Sequence, residues 1–148
     1  LHRVCRLYAS GEEERRDLFQ DIVAQLWRAW PGFRRESKPS TWMYQIALNT
    51  AISGLRQRQR HLRRITWSPG LSLLPQPGPE NPYAEELPRL YLAISRLNDV
   101  EKAIALLYLD DLPYDEIAAI TGITAGNARV KMNRIREKLR AMLQSEQL

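Results

Sequence analysis

The sequence predicts an all-α protein of two small helical domains joined by a proline-rich, extended linker. Three observations predict it. Apolar residues recur at helical spacing in both outer blocks, and no alternating strand pattern persists anywhere. Six of the nine prolines (positions 69, 75, 77, 79, 82 and 88) fall within residues 66–88. Their spacing denies both a helix and a central strand, and favours an extended, solvated chain. Charge divides at the same places: residues 1–65 carry 13 Lys/Arg against 6 Asp/Glu, residues 66–88 carry three acids and no base, and residues 89–148 carry nine bases against eight acids. One domain with a long surface loop is the rival arrangement, but structureless loops of this length are uncommon inside compact domains. The boundaries expected are therefore 1–65, 66–88 and 89–148.

Residues 17–30 read as the first long helix. Leu18, Phe19, Ile22, Val23, Leu26 and Trp30 fall on one side, with Asp17, Gln20, Asp21, Ala24 and Arg28 opposite. Pro31-Gly32 ends it. A second helix starts near Thr41, with Tyr44, Leu48, Ala51, Ile52 and Leu55 as its buried stripe and Gln45, Asn49, Ser53 and Arg56 as a polar row beside it. Trp27, Trp30 and Trp42 are assigned to the core. Residues 55–64 hold five arginines. They can line a phosphate backbone, or form a solvated helix end whose cations complement the dipole. His61 is read as solvated and given no role. Beyond the proline-rich break the helical pattern resumes with Leu90, Ile94 and Leu97, then Ile104 and Leu107, then Ile117 and Ile120.

The strongest local pattern spans residues 115–131. A short helix with Asp115 and Glu116 in its first turn, where the dipole favours acids, leads to Gly122. Gly122 can take the left-handed conformation that stops a helix. Ile123 plugs the corner, and Thr124 suits the N-cap of a second helix. On that helix Ala128, Met132, Ile135 and Leu139 step by 4, 3 and 4, the period of a buried stripe. Asn127, Val130, Asn133 and Arg134 face the other way, flanked by Arg129 and Lys131. This is the layout of a helix-turn-helix, whose second helix enters the major groove. Asn and Arg can read base edges by paired hydrogen bonds, and Lys can hold phosphate. An αα-corner with a merely solvated basic face has the same local pattern. The second basic helix nearby favours nucleic acid.

Composition limits the rest. The chain has 148 residues, 44% of them hydrophobic, and a formal charge of +5. An excess of base points to an anionic partner. Cys5 is the single cysteine, which excludes an internal disulfide and a cysteine zinc site. The longest apolar run, 103–109, is far short of a membrane span, and no signal peptide is evident, so a soluble cytoplasmic protein without membrane insertion is expected. The sequence starts at Leu1 rather than Met, so preceding residues are expected. With no metal-spaced histidine cluster, phosphate loop or Cys-His pair, no enzyme and no cofactor is predicted.

Two blocks resemble a known family. Asp17-Leu18-Phe19-Gln20-Asp21, then Arg28-Ala29-Trp30-Pro31-Gly32-Phe33-Arg34, then Thr41-Trp42-Met43-Tyr44-Gln45-Ile46-Ala47-Leu48-Asn49-Thr50-Ala51 resemble region 2 of the extracytoplasmic-function (ECF) bacterial sigma factors. Residues 90–143 resemble their region 4, which ends in a helix-turn-helix. The resemblance implies core RNA polymerase, promoter DNA and an anti-sigma factor as partners. It implies polymerase docking by Asp17, Gln20 and Asp21. It implies minus-ten recognition and melting by the loop Phe33, Arg34, Arg35, Glu36, Ser37 and Lys38 with Asn49 and Arg56. It implies minus-thirty-five reading by Asn127, Arg129, Val130, Lys131, Asn133 and Arg134. It also implies that region 2 here lacks its opening helix. Two rivals remain at this point: a stand-alone helix-turn-helix regulator, which needs no polymerase, and a basic adaptor, which has no DNA preference. The 41–51 string counts against both, because neither needs a base-capturing loop ahead of a polar helix row.

Overall fold

The computed structural model describes residues 1–64 and 86–145, and every regular element among them is helical. The linker expectation for 66–85, and the side chains of His61, Arg63 and Arg64, lie outside the described residues. The chain divides into two compact units, Leu1–Leu73 and Leu74–Leu148.

The first unit holds α1 (His2–Tyr8), α2 (Glu12–Ala29), a 3₁₀ turn (Trp30–Gly32) and α3 (Pro39–Arg64). No helix is predicted ahead of position 17, yet α1 stands there with Val4, Cys5, Leu7 and Tyr8 buried against α2 and α3. Seven residues are too few to hold a helix in water, so packing is what forms it. Helix α2 begins five residues earlier than expected. Glu12, Glu13 and Glu14 fill its first turn, and the Ser10 N–H donates to Glu14 Oε2 at 3.0 Å. Helix α3 starts on Pro39, where a missing N–H costs nothing, and runs unbroken through the arginine-rich segment. Arg58 ties it back: its guanidinium pairs with Glu14 at 3.0 Å and donates to the Tyr8 carbonyl at 3.3 Å.

The core of this unit is narrower than the sequence suggests. Leu18, Ile22, Ala47, Leu48 and Ala51 are buried with Val4 and Leu7. Three residues assigned to the core are on the surface: Val23 is 44% exposed, Trp27 81% and Trp30 59%. The reason is geometric. Among the described residues, α1 and α3 are the helices that pack along α2, and they cover the line through Leu18 and Ile22, while Val23 and Trp27 on another flank stay exposed. Trp42 is half-buried, in a ring cluster with Trp30 and Phe33 (centroid separations 4.9–5.9 Å).

The second unit holds α4 (Glu86–Ser95), α5 (Asp99–Leu109), α6 (Tyr114–Thr121) and α7 (Ala125–Ser145). Helix α4 begins three residues inside the expected linker, because Pro88 falls in a first turn, where proline is tolerated. Asn98 caps α5 in a reciprocal box with Glu101: Asn98 Oδ1 accepts from the Glu101 N–H at 2.9 Å, and the Asn98 N–H donates to Glu101 Oε2 at 3.4 Å. Residues Ala103, Ile104, Ala105, Leu106 and Leu107 are all buried, so α5 is the central helix, touched by α4, α6 and α7. Burial of each such Leu or Ile contributes about 1.5–3 kcal/mol.

Candidate nucleic-acid interface

The corner between α6 and α7 is built as the sequence predicts. Gly122 sits at φ 75°, ψ 17°, and its N–H donates to the Ala118 carbonyl. A side chain at this φ would be strained. Thr124 Oγ1 accepts the Asn127 N–H at 3.1 Å, which caps α7. Ala128, Met132, Ile135 and Leu139 are all buried, so the opposite face of α7 is fixed in direction. On it Asn127, Arg129, Val130, Asn133 and Arg134 are exposed and Lys131 is partly exposed. Val130, at 49% exposure, is an apolar group on an otherwise polar face, the chemistry that meets a thymine methyl. Arg129 differs from its neighbours, because its guanidinium lies 5.2 Å over the ring of Tyr114 on α6.

In the first unit, Asp17, Gln20 and Asp21 are exposed on α2 at i, i+3 and i+4, one continuous surface. Beside them Phe19, Val23 and Trp27, with Gln20, Ala24 and Arg28, line an open apolar groove of about 420 Å³. Sequence reasoning missed Val23 and Trp27 as surface groups. At 100° per residue they lie on the Gln20 side of the helix, well away from the Leu18–Ile22 line, and that angle was the available signal.

The loop after α2 is anchored at both ends by rings. Phe33 is half-buried between Trp30, which precedes it, and Trp42 on α3. Arg34, Arg35, Glu36, Ser37 and Lys38 are exposed. Arg35 has φ 57°, an uncommon value for a side-chain-bearing residue, which bends the crest sharply. Asn49 and Arg56 are exposed on α3 in one row with Ser53 and Arg60. Asn49 lies eleven residues beyond Lys38, about 16 Å at ~1.5 Å per residue. Burial raises the Cys5 thiol above its usual value, and burial lowers Lys102 against the pull of Asp99, but neither lies among the predicted contacts.

The Sigma-70 region 2 family model matches residues 1–61 and the Sigma-70 region 4 model matches residues 87–139. The ECF RNA polymerase sigma-E factor of Escherichia coli (strain K12) is 33% identical over 147 residues, which cover 92% of this chain and 76% of that protein. The chain belongs to the ECF sigma factors. As a sigma factor it binds core RNA polymerase, recognises promoter DNA and directs the initiation of DNA-templated transcription. Similarity extends to the ECF RNA polymerase sigma factor RpoE of Cereibacter sphaeroides, 31% identical over 82% of this chain and 67% of that one. Its fold is that of RpoE from Bartonella quintana, solved in complex with the anti-sigma factor NepR (TM-score 0.80, 22% identity, 97% of this chain and 89% of that one). It is also that of CnrH, solved with the cytosolic domain of CnrY (TM-score 0.66, 21% identity, 97% and 80%).

Proposed function

We propose that the two units of this sigma factor divide the promoter between them, the first engaging polymerase and the minus-ten element and the second the minus-thirty-five element. The observation that carries this reading is the outward face of α7, polar and basic, on a helix held by a buried stripe and a capped turn. Val130, Asn133 and Arg134 read base edges there, while Asn127, Arg129 and Lys131 hold the backbone.

On the first unit the α2 surface of Asp17, Gln20 and Asp21 docks on core polymerase, with Val23 and Trp27 supplying apolar area beside the charges. Interfaces of this kind take their energy from a buried aromatic anchor and their register from surrounding charge. The loop 34–38 and Asn49 receive the non-template strand. An extruded base costs a few kcal/mol in lost stacking, which a prepared surface must return. The Trp30–Phe33–Trp42 cluster prepares it by fixing both ends of the loop, with Phe33 acting as an anchor of the loop. Arg56 and Arg60 continue the row along the phosphate backbone.

The chain acts in the cytoplasm and performs no catalysis of its own; the polymerase supplies the chemistry. The complexes of RpoE with NepR and of CnrH with CnrY support control of this chain by an anti-sigma factor. Footprinting of a holoenzyme assembled from core polymerase and this chain tests the division of labour. Protection upstream should depend on the minus-thirty-five sequence and permanganate reactivity downstream on the minus-ten sequence. Protection by the chain alone, equal to that of holoenzyme, would point to a self-sufficient regulator.

A further inference from the structure

Two arginines on α7 are held in an unusual way. Arg136 lies 4.7 Å over the ring of Tyr108 and donates a hydrogen bond to its phenol oxygen. Arg129 lies 5.2 Å over the ring of Tyr114. The two rings are themselves 6.1 Å apart, because Tyr108 lies in the last turn of α5, Tyr114 opens α6 and only a short turn separates the helices. Arg129 and Arg136 are seven residues apart on α7, which sets them on the same flank about 10.5 Å apart along the axis. The result is a continuous row of cation, ring, ring and cation across three helices.

The manner of holding matters. Lys138 on the same helix faces Glu101 at 2.5 Å, and Arg58 in the other unit faces Glu14 at 3.0 Å. A carboxylate of that kind fixes a cation and cancels its charge together. A ring face fixes the guanidinium but leaves its charge and its outer N–H donors available. Both arginines are exposed and both rings only partly covered, so the row borders solvent beside the recognition face.

We propose that Tyr108 and Tyr114 are positioning residues that hold Arg136 and Arg129 as a pair of phosphate-binding guanidiniums alongside the recognition helix. This rests on the reading of α7 as the minus-thirty-five reader. It adds Arg136 to the DNA contacts and supplies the means by which Arg129 is held for its proposed backbone role. Phosphate contacts of this type fix register without carrying sequence information. Pre-set guanidiniums lose less rotamer freedom on binding than free ones.

The test is holoenzyme binding to duplexes with an intact or a scrambled minus-thirty-five element, across a salt series. Arg136→Gln should flatten the slope of log affinity against log salt by about 0.9, the loss of one phosphate contact. The ratio between intact and scrambled duplex should stay unchanged. Tyr114→Leu combined with Tyr108→Leu should weaken binding to both duplexes roughly threefold, whereas Tyr114→Phe, which keeps the ring, should bind like wild type. An unchanged slope for Arg136→Gln overturns the proposal even if the double Leu variant proves poorly folded. A changed ratio overturns it also, since base reading would then be involved. If wild-type holoenzyme shows no preference for the intact element, the reading of α7 itself fails and this inference falls with it. A preference that persists with a flat response to Arg136→Gln defeats the inference alone.

Discussion

Arg134 is exposed on the side of α7 that the buried stripe turns outward, and the proposed function gives it a paired contact to guanine. Arg134→Ala should cost about 1–3 kcal/mol on the matched promoter and relax preference at one base pair. Comparison of matched and mismatched promoters at one salt concentration measures it; equal weakening of both would mean a phosphate contact. Asn49 is exposed as well, so Asn49→Ala should leave thermal stability nearly unchanged. Its effect should fall on opening, read as weaker permanganate reactivity of thymines at unchanged occupancy. Lys102 carries a prediction about pH. Burial holds its folded value below the ordinary 10.5, with Asp99 opposing. The unfolded chain therefore keeps its proton to higher pH than the folded one, and stability rises with pH through the interval just below 10.5. Denaturant melts should show Lys102→Met more stable than wild type near neutrality, with the gap closing as pH climbs towards that value.

Helix α2 does two jobs with one periodicity, and this explains what its sequence concealed. Leu18 and Ile22 are core, Val23 and Trp27 are surface, and each pair keeps helical spacing on its own side of the helix. Period alone finds both stripes; the angle between them tells them apart, and the neighbours decide which one packs: among the described residues α1 and α3 cover the Leu18–Ile22 flank. Helix α1 was hidden for a related reason, since seven residues carry too little pattern to read. The α6–α7 corner was legible in full because its determinants are local: a glycine at φ 75°, a threonine cap and a 4-3-4 stripe. The Asn98–Glu101 box was equally local and was passed over. If the exposed flank of α2 docks on polymerase, Trp27→Ala should weaken core association in pull-down without lowering the melting temperature. Asp21→Lys should do the same by opposing charge. A variant that loses stability instead would return Trp27 to the core.

The two units are separated by 65–85, a stretch of 21 residues between α3 and α4. Fully extended it reaches about 70 Å at ~3.3 Å per residue. Promoter elements about 25 base pairs apart lie about 85 Å apart along the duplex axis, at ~3.4 Å per pair. Each folded half adds a radius on the order of 10 Å. If each unit takes one element, as proposed, the chain spans both only with most of that reach in use. Removing about ten residues from 68–79 should leave each unit folded and able to bind its own polymerase surface. It should abolish initiation where both elements are required.

That two-element requirement is tested most directly by run-off transcription with core polymerase and this chain. A promoter library supplies a responsive template, and each element is then scrambled separately. Transcripts should appear with the intact template, vanish without the chain, and fall sharply when either element alone is scrambled. Undiminished transcription from a template that lacks one of the two would contradict the assignment of one unit to each element.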